Sequence, residues 1–246
     1  MVRRTAAGIV MLLLLLAPDG VSVAGEVHGR ECVILLHGLL RTSDSMERLA
    51  GYLEERGYRV LNVDYPSRDG SIGALAEGYV TPAVRRCREE GCGTIHFVTH
   101  SLGGILVRQY LQNGTVPPGS RVVMLSPPNG GTEVADFFGN VFLYHWITGP
   151  AGEELGTGAD STPNRLAPID APVGIIAGTR CYNPLFSVLI PGTDDGTVGI
   201  ERMKLEEMAG YIEVPCGHFF MMNNAAVMRQ TAYFLERGVF DHDGGR

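Results

Sequence analysis

Ser101 stands inside Thr99-His100-Ser101-Leu102-Gly103-Gly104, after the apolar run Thr94-Ile95-His96-Phe97-Val98 and before Ile105-Leu106-Val107-Arg108-Gln109-Tyr110-Leu111. An apolar run that stops at a serine and resumes with helical spacing reads as a strand turning sharply into a helix. Such a turn strains the serine and exposes its hydroxyl near a helix N-terminus, where developing negative charge is favoured. That is where acyl transfer needs its nucleophile. Gly103, with Gly104 behind it, lets strand and helix approach without Cβ clashes. The usual pattern is Gly-x-Ser-x-Gly. Here Thr99 takes the first glycine's place, and a small β-branched residue suits a strand end.

A serine nucleophile needs a base to take its proton and a carboxylate to orient that base. In folds with this turn the chain order is Ser, then Asp or Glu, then His. Downstream of Ser101 the histidines are His145, His218 and His242. His145 precedes any fitting acid, and His242 lies in the terminal tail. His218, in Pro215-Cys216-Gly217-His218-Phe219, falls between the last expected strand and the final helix, where the base belongs. The turn-rich loop Pro191-Gly192-Thr193-Asp194-Asp195-Gly196-Thr197-Val198 offers two adjacent carboxylates. One orients the imidazole and the other caps a turn, a common role for Asp. Spacing does not separate Asp194 from Asp195. Asp170 precedes its strand and Glu213 lies within one, so both fit less well. Oxyanion donors are expected from the N–H of Leu102 and of Leu39, in His37-Gly38-Leu39-Leu40 after the first strand. His37, His96 and His100 read as structural.

These residues must be held by a framework. Apolar runs predict strands over 32–36, 58–63, 94–98, 121–125, 173–178 and 211–214. Helical patterns fall over about 43–56, capped by Ser43 or Asp44, over 71–90 with Pro82 as an interruption, after Ser101, and over 222–236. Strands alternating with helices give an α/β fold, a mostly parallel sheet covered on both faces. Residues 132–170 break the alternation with Phe137, Phe138, Val141, Phe142, Leu143, Tyr144, Trp146 and Ile147. They form either a helix and loop packed on the core or a lid-like cap lining an acyl pocket.

Arg3 and Arg4, the apolar stretch Thr5 to Ala17 and the small residues Ser22-Val23-Ala24 read as a signal peptide, residues 1–24. Residues 25–246 then form a single secreted or periplasmic domain; the alternative is an N-terminal membrane anchor. Its removal takes away Arg3, Arg4 and Asp19, leaving 18 basic and 26 acidic residues. That balance argues against nucleic acid or an anionic surface as the main partner. Five cysteines in an oxidising compartment predict two bridges and one free thiol. A local Cys87–Cys92 bridge and a Cys181–Cys216 bridge at the sheet rim are the expected pairs, with Cys32 buried and inert. The spacings fit no zinc pattern, and no metal or cofactor is expected.

His37-Gly38-Leu39-Leu40, the Ser101 turn, Asp195-Gly196-Thr197-Val198 and Gly217-His218 together resemble the lipase/esterase branch of the α/β-hydrolase superfamily, over residues 31–236. Ser126-Pro127-Pro128-Asn129-Gly130-Gly131-Thr132 is similar to the loop after the next strand in secreted bacterial lipases. The resemblance implies an α/β-hydrolase fold with a small cap insertion. It also implies cleavage of lipid or small-molecule esters through an acyl-enzyme on Ser101, and transient contact with lipid interfaces. Because that family commonly sets its acid immediately before a glycine, it favours Asp195 over Asp194. The same residues would serve a thioesterase, an amidase or an acyltransferase. A silent fold that binds a lipid or a protein is the reading from another class. Oligomeric state and acyl length are not legible.

Overall fold

A computed structural model describes residues 30–139, 141–182 and 184–243. The expected signal peptide lies outside them. Stretches such as Val33-Ile34-Leu35-Leu36 are apolar at every position because helices cover both faces of the strand. Among the described residues six strands form one sheet: β1 (Arg30–Leu36), β2 (Arg59–Val63), β3 (Cys92–His100), β4 (Val122–Leu125), β5 (Val173–Gly178) and β6 (Gly210–Val214), the edge strands β2 and β6 being only partly buried. Their order is β2-β1-β3-β4-β5-β6, and each neighbouring pair is parallel. Successive side chains serve opposite cores. Cys32, Ile34, Leu36, Ile95 and Phe97 pack under α3 (Thr81–Glu89) and α4 (Leu102–Leu111). Val33, Leu35, Val98 and Val123 pack under α1 (Glu47–Glu54) and α10 (Ala225–Arg237).

The order places β1 between β2 and β3, so the chain runs outward on one side of β1 and returns on the other. A crevice opens at the carboxyl ends of strands at such a switch point. Leu36 pairs with Thr99, so the loop after β1 and the turn after β3 emerge side by side.

The expected helix over 71–90 is divided into α2 (Ile72–Leu75), a π turn over Ala76–Val80, and α3. Pro82 has no N–H to donate to the preceding turn, which loosens there. The final helix starts at Ala225 rather than 222. Asn224 caps it, Oδ1 accepting from the N–H of Ala226 at 2.8 Å and of Val227 at 3.4 Å.

The cysteines pair differently from expectation. Cys32 and Cys92 form the close pair, 5.8 Å apart at Cα, in place of Cys87–Cys92. The amino ends of β1 and β3 lie side by side, which brings together residues 60 apart in sequence. Cys87 is buried behind them, the three sulfurs within 4.8 Å of one another. Cys181 and Cys216 are free thiols, not a bridge.

The segment between β4 and β5 carries α5 (Glu133–Phe138), α6 (Phe142–Glu153) and α7 (Thr162–Arg165). Phe138 stacks on Tyr144 of α6 at 5.9 Å and meets Phe186 edge-on at 5.9 Å. Phe186 belongs to the short helix α8 (Pro184–Ser187), which precedes the acid loop. The short helix α9 (Ile200–Met203) follows that loop.

Candidate active site

Ser101 follows β3 with φ 52° and ψ −120°, outside the relaxed regions for an L-residue, and it opens α4. Two glycines make the turn possible. A Cβ on Gly103 would lie 2.6 Å from the Leu36 carbonyl oxygen, so only glycine lets α4 sit against β1. A Cβ on Gly104 would lie 3.3 Å from Thr99 Oγ1 and 3.2 Å from Pro127 Cβ. The second glycine therefore sits close against the threonine that replaces the usual first one, where any larger residue would press on it.

His218 and Asp195 converge on this serine from separate loops. Ser101 Oγ lies 3.0 Å from His218 Nε2, and His218 Nδ1 lies 2.7 Å from Asp195 Oδ2. A carboxylate accepts, so Nδ1 carries the proton and Nε2 is left to accept from the serine hydroxyl. Asp195 is 2 % exposed and His218 4 % exposed. The other oxygen of Asp195 accepts from the N–H of Thr197 at 3.1 Å and of Val198 at 2.9 Å. The His218 N–H donates to the Asp195 main-chain oxygen at 3.0 Å, tying the two loops together.

Asp194 points elsewhere. It accepts from Ser187 Oγ at 2.5 Å and from the Gly196 N–H at 2.7 Å, closing the turn in which Gly196 has φ 95°. His145 is bound to Glu153 at 2.5 Å within the cap, away from Ser101.

The loop after β1 is braced by the segment after β2. Its Leu40, at φ 59°, donates its N–H to Ser67 Oγ at 3.0 Å, and the Arg41 N–H donates to the Gly38 carbonyl at 3.3 Å. His37 is buried, stacked on Tyr65 with centroids 4.0 Å apart, and donates Nδ1–H to the Gly38 carbonyl at 2.9 Å. Desolvation holds its pKa below the usual histidine value. Tyr65 Oη in turn donates to the His37 carbonyl at 2.5 Å. Neither Tyr65 nor Ser67 carries a signal in the sequence; they matter because β2 is next to β1. Thr132 is a further tie, its hydroxyl donating to the Thr197 carbonyl at 2.6 Å and so joining the cap to the acid loop.

Beside Ser101 opens a cavity of about 360 Å³. Leu39, Val134, Phe138, Tyr144, Ile147 and Phe186 are among its walls, and they are almost wholly apolar. Of the residues that line it, Leu40, Leu143 and Phe219 are exposed, Leu143 by 58 %. Arg41 lies over the Phe219 ring at 5.2 Å and donates to its carbonyl.

A parallel sheet with its crevice at the β1/β3 switch, a strained serine after β3 and a histidine after the last strand define a hydrolase of the α/β type. The chain belongs to the alpha/beta hydrolase family, whose model matches residues 33–230. No curated protein matches it. Among solved structures, the mature form of Bacillus licheniformis lipase BlEst2 is similar at TM-score 0.65 and 18 % identity, covering 84 % of this chain and 92 % of that one. The metagenomic carboxyl esterase MGS0156 is similar at TM-score 0.60 and 16 % identity, covering 91 % and 79 %. Pyrococcus furiosus esterase Pf2001 is similar at TM-score 0.58 and 17 % identity, covering 84 % and 83 %. At these identities the likeness is one of fold.

Proposed function

We propose that this protein is a carboxylic-ester hydrolase of the lipase/esterase kind that works through an acyl-enzyme on Ser101. The observation that carries this reading is the Asp195–His218–Ser101 chain of hydrogen bonds opening onto an apolar cavity. Ser101 Oγ attacks the ester carbonyl carbon as His218 Nε2 takes its proton. Asp195 keeps the imidazole in that tautomer and stabilises the imidazolium. The N–H groups of Leu39 and Leu102 receive the oxyanion; the Leu40 and Arg41 N–H groups are engaged elsewhere. His218 then protonates the departing alcohol. Water, activated by the same base, cleaves the acyl–serine bond and returns the hydroxyl to Ser101.

The names of the similar structures, a lipase and two esterases, agree with this choice among acyl-transfer reactions. The apolar cavity suits an acyl chain, and its exposed apolar rim suits transient contact with lipid. Residues 1–24 are proposed as an export signal that places the domain outside the cytoplasm.

The test is hydrolysis of p-nitrophenyl esters from acetate to palmitate, with thioester and anilide analogues beside them. Ser101→Ala should lower kcat/KM by about 10³-fold or more. Full activity in that variant would remove Ser101 from the mechanism. Faster turnover of the thioester or anilide series would reassign the substrate class.

A further inference from the structure

His100, next to Ser101, is buried at 1 % exposure, and the mechanism above does not use it. Its Nε2 lies 2.9 Å from the main-chain oxygen of His218. A carbonyl only accepts, so Nε2 carries the proton and donates it. Nδ1 is then the bare nitrogen, buried without a hydrogen-bond partner. It lies against the loop after β1, for a Cβ on Gly38 would come within 2.7 Å of it. The rings of His100 and His218 are 4.8 Å apart between centroids. Burial first, and the nearby His218 and Arg41 next, hold the His100 pKa well below the usual histidine value. The side chain is therefore a neutral imidazole of one tautomer.

An unpaired buried ring nitrogen costs free energy that a leucine of similar size would not. What histidine adds at this position is the Nε2–H donor. We infer that His100 is a positioning residue for the base. Its hydrogen bond to the His218 carbonyl and its packing on Gly38 fix the base loop relative to the oxyanion loop. The His218 backbone is thus pinned on both sides, its N–H on the Asp195 carbonyl and its own carbonyl on His100. With the main chain fixed, Nε2 stays at hydrogen-bonding distance from Ser101 Oγ. Without His100 the 3-10 turn that opens at His218 keeps its own form but loses its tie to β3, and the imidazole is placed less tightly. The role rests on the reading of Ser101, His218 and Asp195 given above.

Three substitutions test it. Gln carries an amide N–H₂ about where His places Nε2, Asn falls one bond short, and Leu fills the volume without donating. Because displacements of an ångström cost up to about 100-fold, His100→Leu should lower kcat on p-nitrophenyl butyrate by about 10- to 100-fold with KM within about twofold. His100→Gln should recover most of that loss and His100→Asn should not. Wild-type kcat in His100→Leu would overturn the inference, as would equal losses in the Leu and Gln variants. If the Leu variant does not fold, the Gln and Asn variants decide between themselves, equal kcat being the contrary result. Labelling of wild-type Ser101 by a fluorophosphonate, run alongside, separates the two layers. Labelling at equal rates in wild type and variants defeats the positioning role alone. No labelling of wild type defeats the acyl-enzyme reading beneath it.

Discussion

Asp194 and Asp195 are neighbours of identical chemistry, and the fold gives them different surroundings. Adjacent side chains of the extended loop point to opposite sides. One carboxylate reaches His218 and the other reaches Ser187 and the Gly196 N–H. Replacing Asp195 by Asn keeps the shape but offers an amide where Nδ1–H must be accepted, inviting the wrong imidazole tautomer. That change should cost about 10³- to 10⁴-fold in kcat/KM at neutral pH. Asp194→Asn leaves the His218 contact intact and loosens only the turn, so its loss should stay within about tenfold. Steady-state rates on one short ester suffice, and losses of equal size would mean that the loop, not the single carboxylate, is what His218 requires. Sequence spacing alone left the pair unresolved because both residues fit a turn. The neighbour that occupies Asp194, Ser187, comes from a helix whose contact with the loop no local pattern announces.

At the level of elements, the strands and their alternation with helices were legible from apolar runs, since a strand buried on both faces has few other ways to be written. Strand order was not. The Cys32–Cys92 pair, the support of the loop after β1 by Tyr65 and Ser67, and the approach of Gly103 to Leu36 all follow from β1 lying between β2 and β3. The cap depends on a similar non-local fit. Its helix α6 is broken at Gly149, at φ 66° and ψ −172°, a conformation essentially reserved for glycine, with Pro150 after it. A Cβ on Gly149 would also lie 1.8 Å from the Arg68 carbonyl oxygen in the segment after β2. Gly149→Ala should therefore unseat α6 and strip Tyr144 and Ile147 from the cavity wall. The expected result is a fall of about tenfold or more in kcat/KM for octanoate and longer esters, with acetate affected far less. A uniform fall across the series would place the damage in the general fold, and an unchanged profile would show that α6 does not line the acyl path.

The molecule as a whole should lose stability in mild acid, and three histidines say why. His37, His96 and His100 are each buried, and desolvation depresses the pKa of each. His96 makes the plainest case. Its Nδ1 accepts the Arg121 N–H at 3.0 Å, which it can do only while unprotonated, and the Arg121 charge adds to the desolvation. Its pKa falls to about 4 in the fold against 6.5 in the open chain. Below pH 6.5 the unfolded state therefore binds a proton that the folded state refuses, so the unfolding free energy falls as pH falls, until about pH 4 is passed. From pH 7 to 4.5 His96 alone accounts for a loss of about 2.5 kcal/mol. His96→Asn retains an acceptor for the Arg121 N–H and removes the titration. Urea unfolding of wild type and variant at the two pH values should show the variant losing less by roughly that amount. Parallel losses in the two proteins would mean that His96 takes up a proton in the folded state, contrary to its burial in the middle of β3, edge-on to Tyr58.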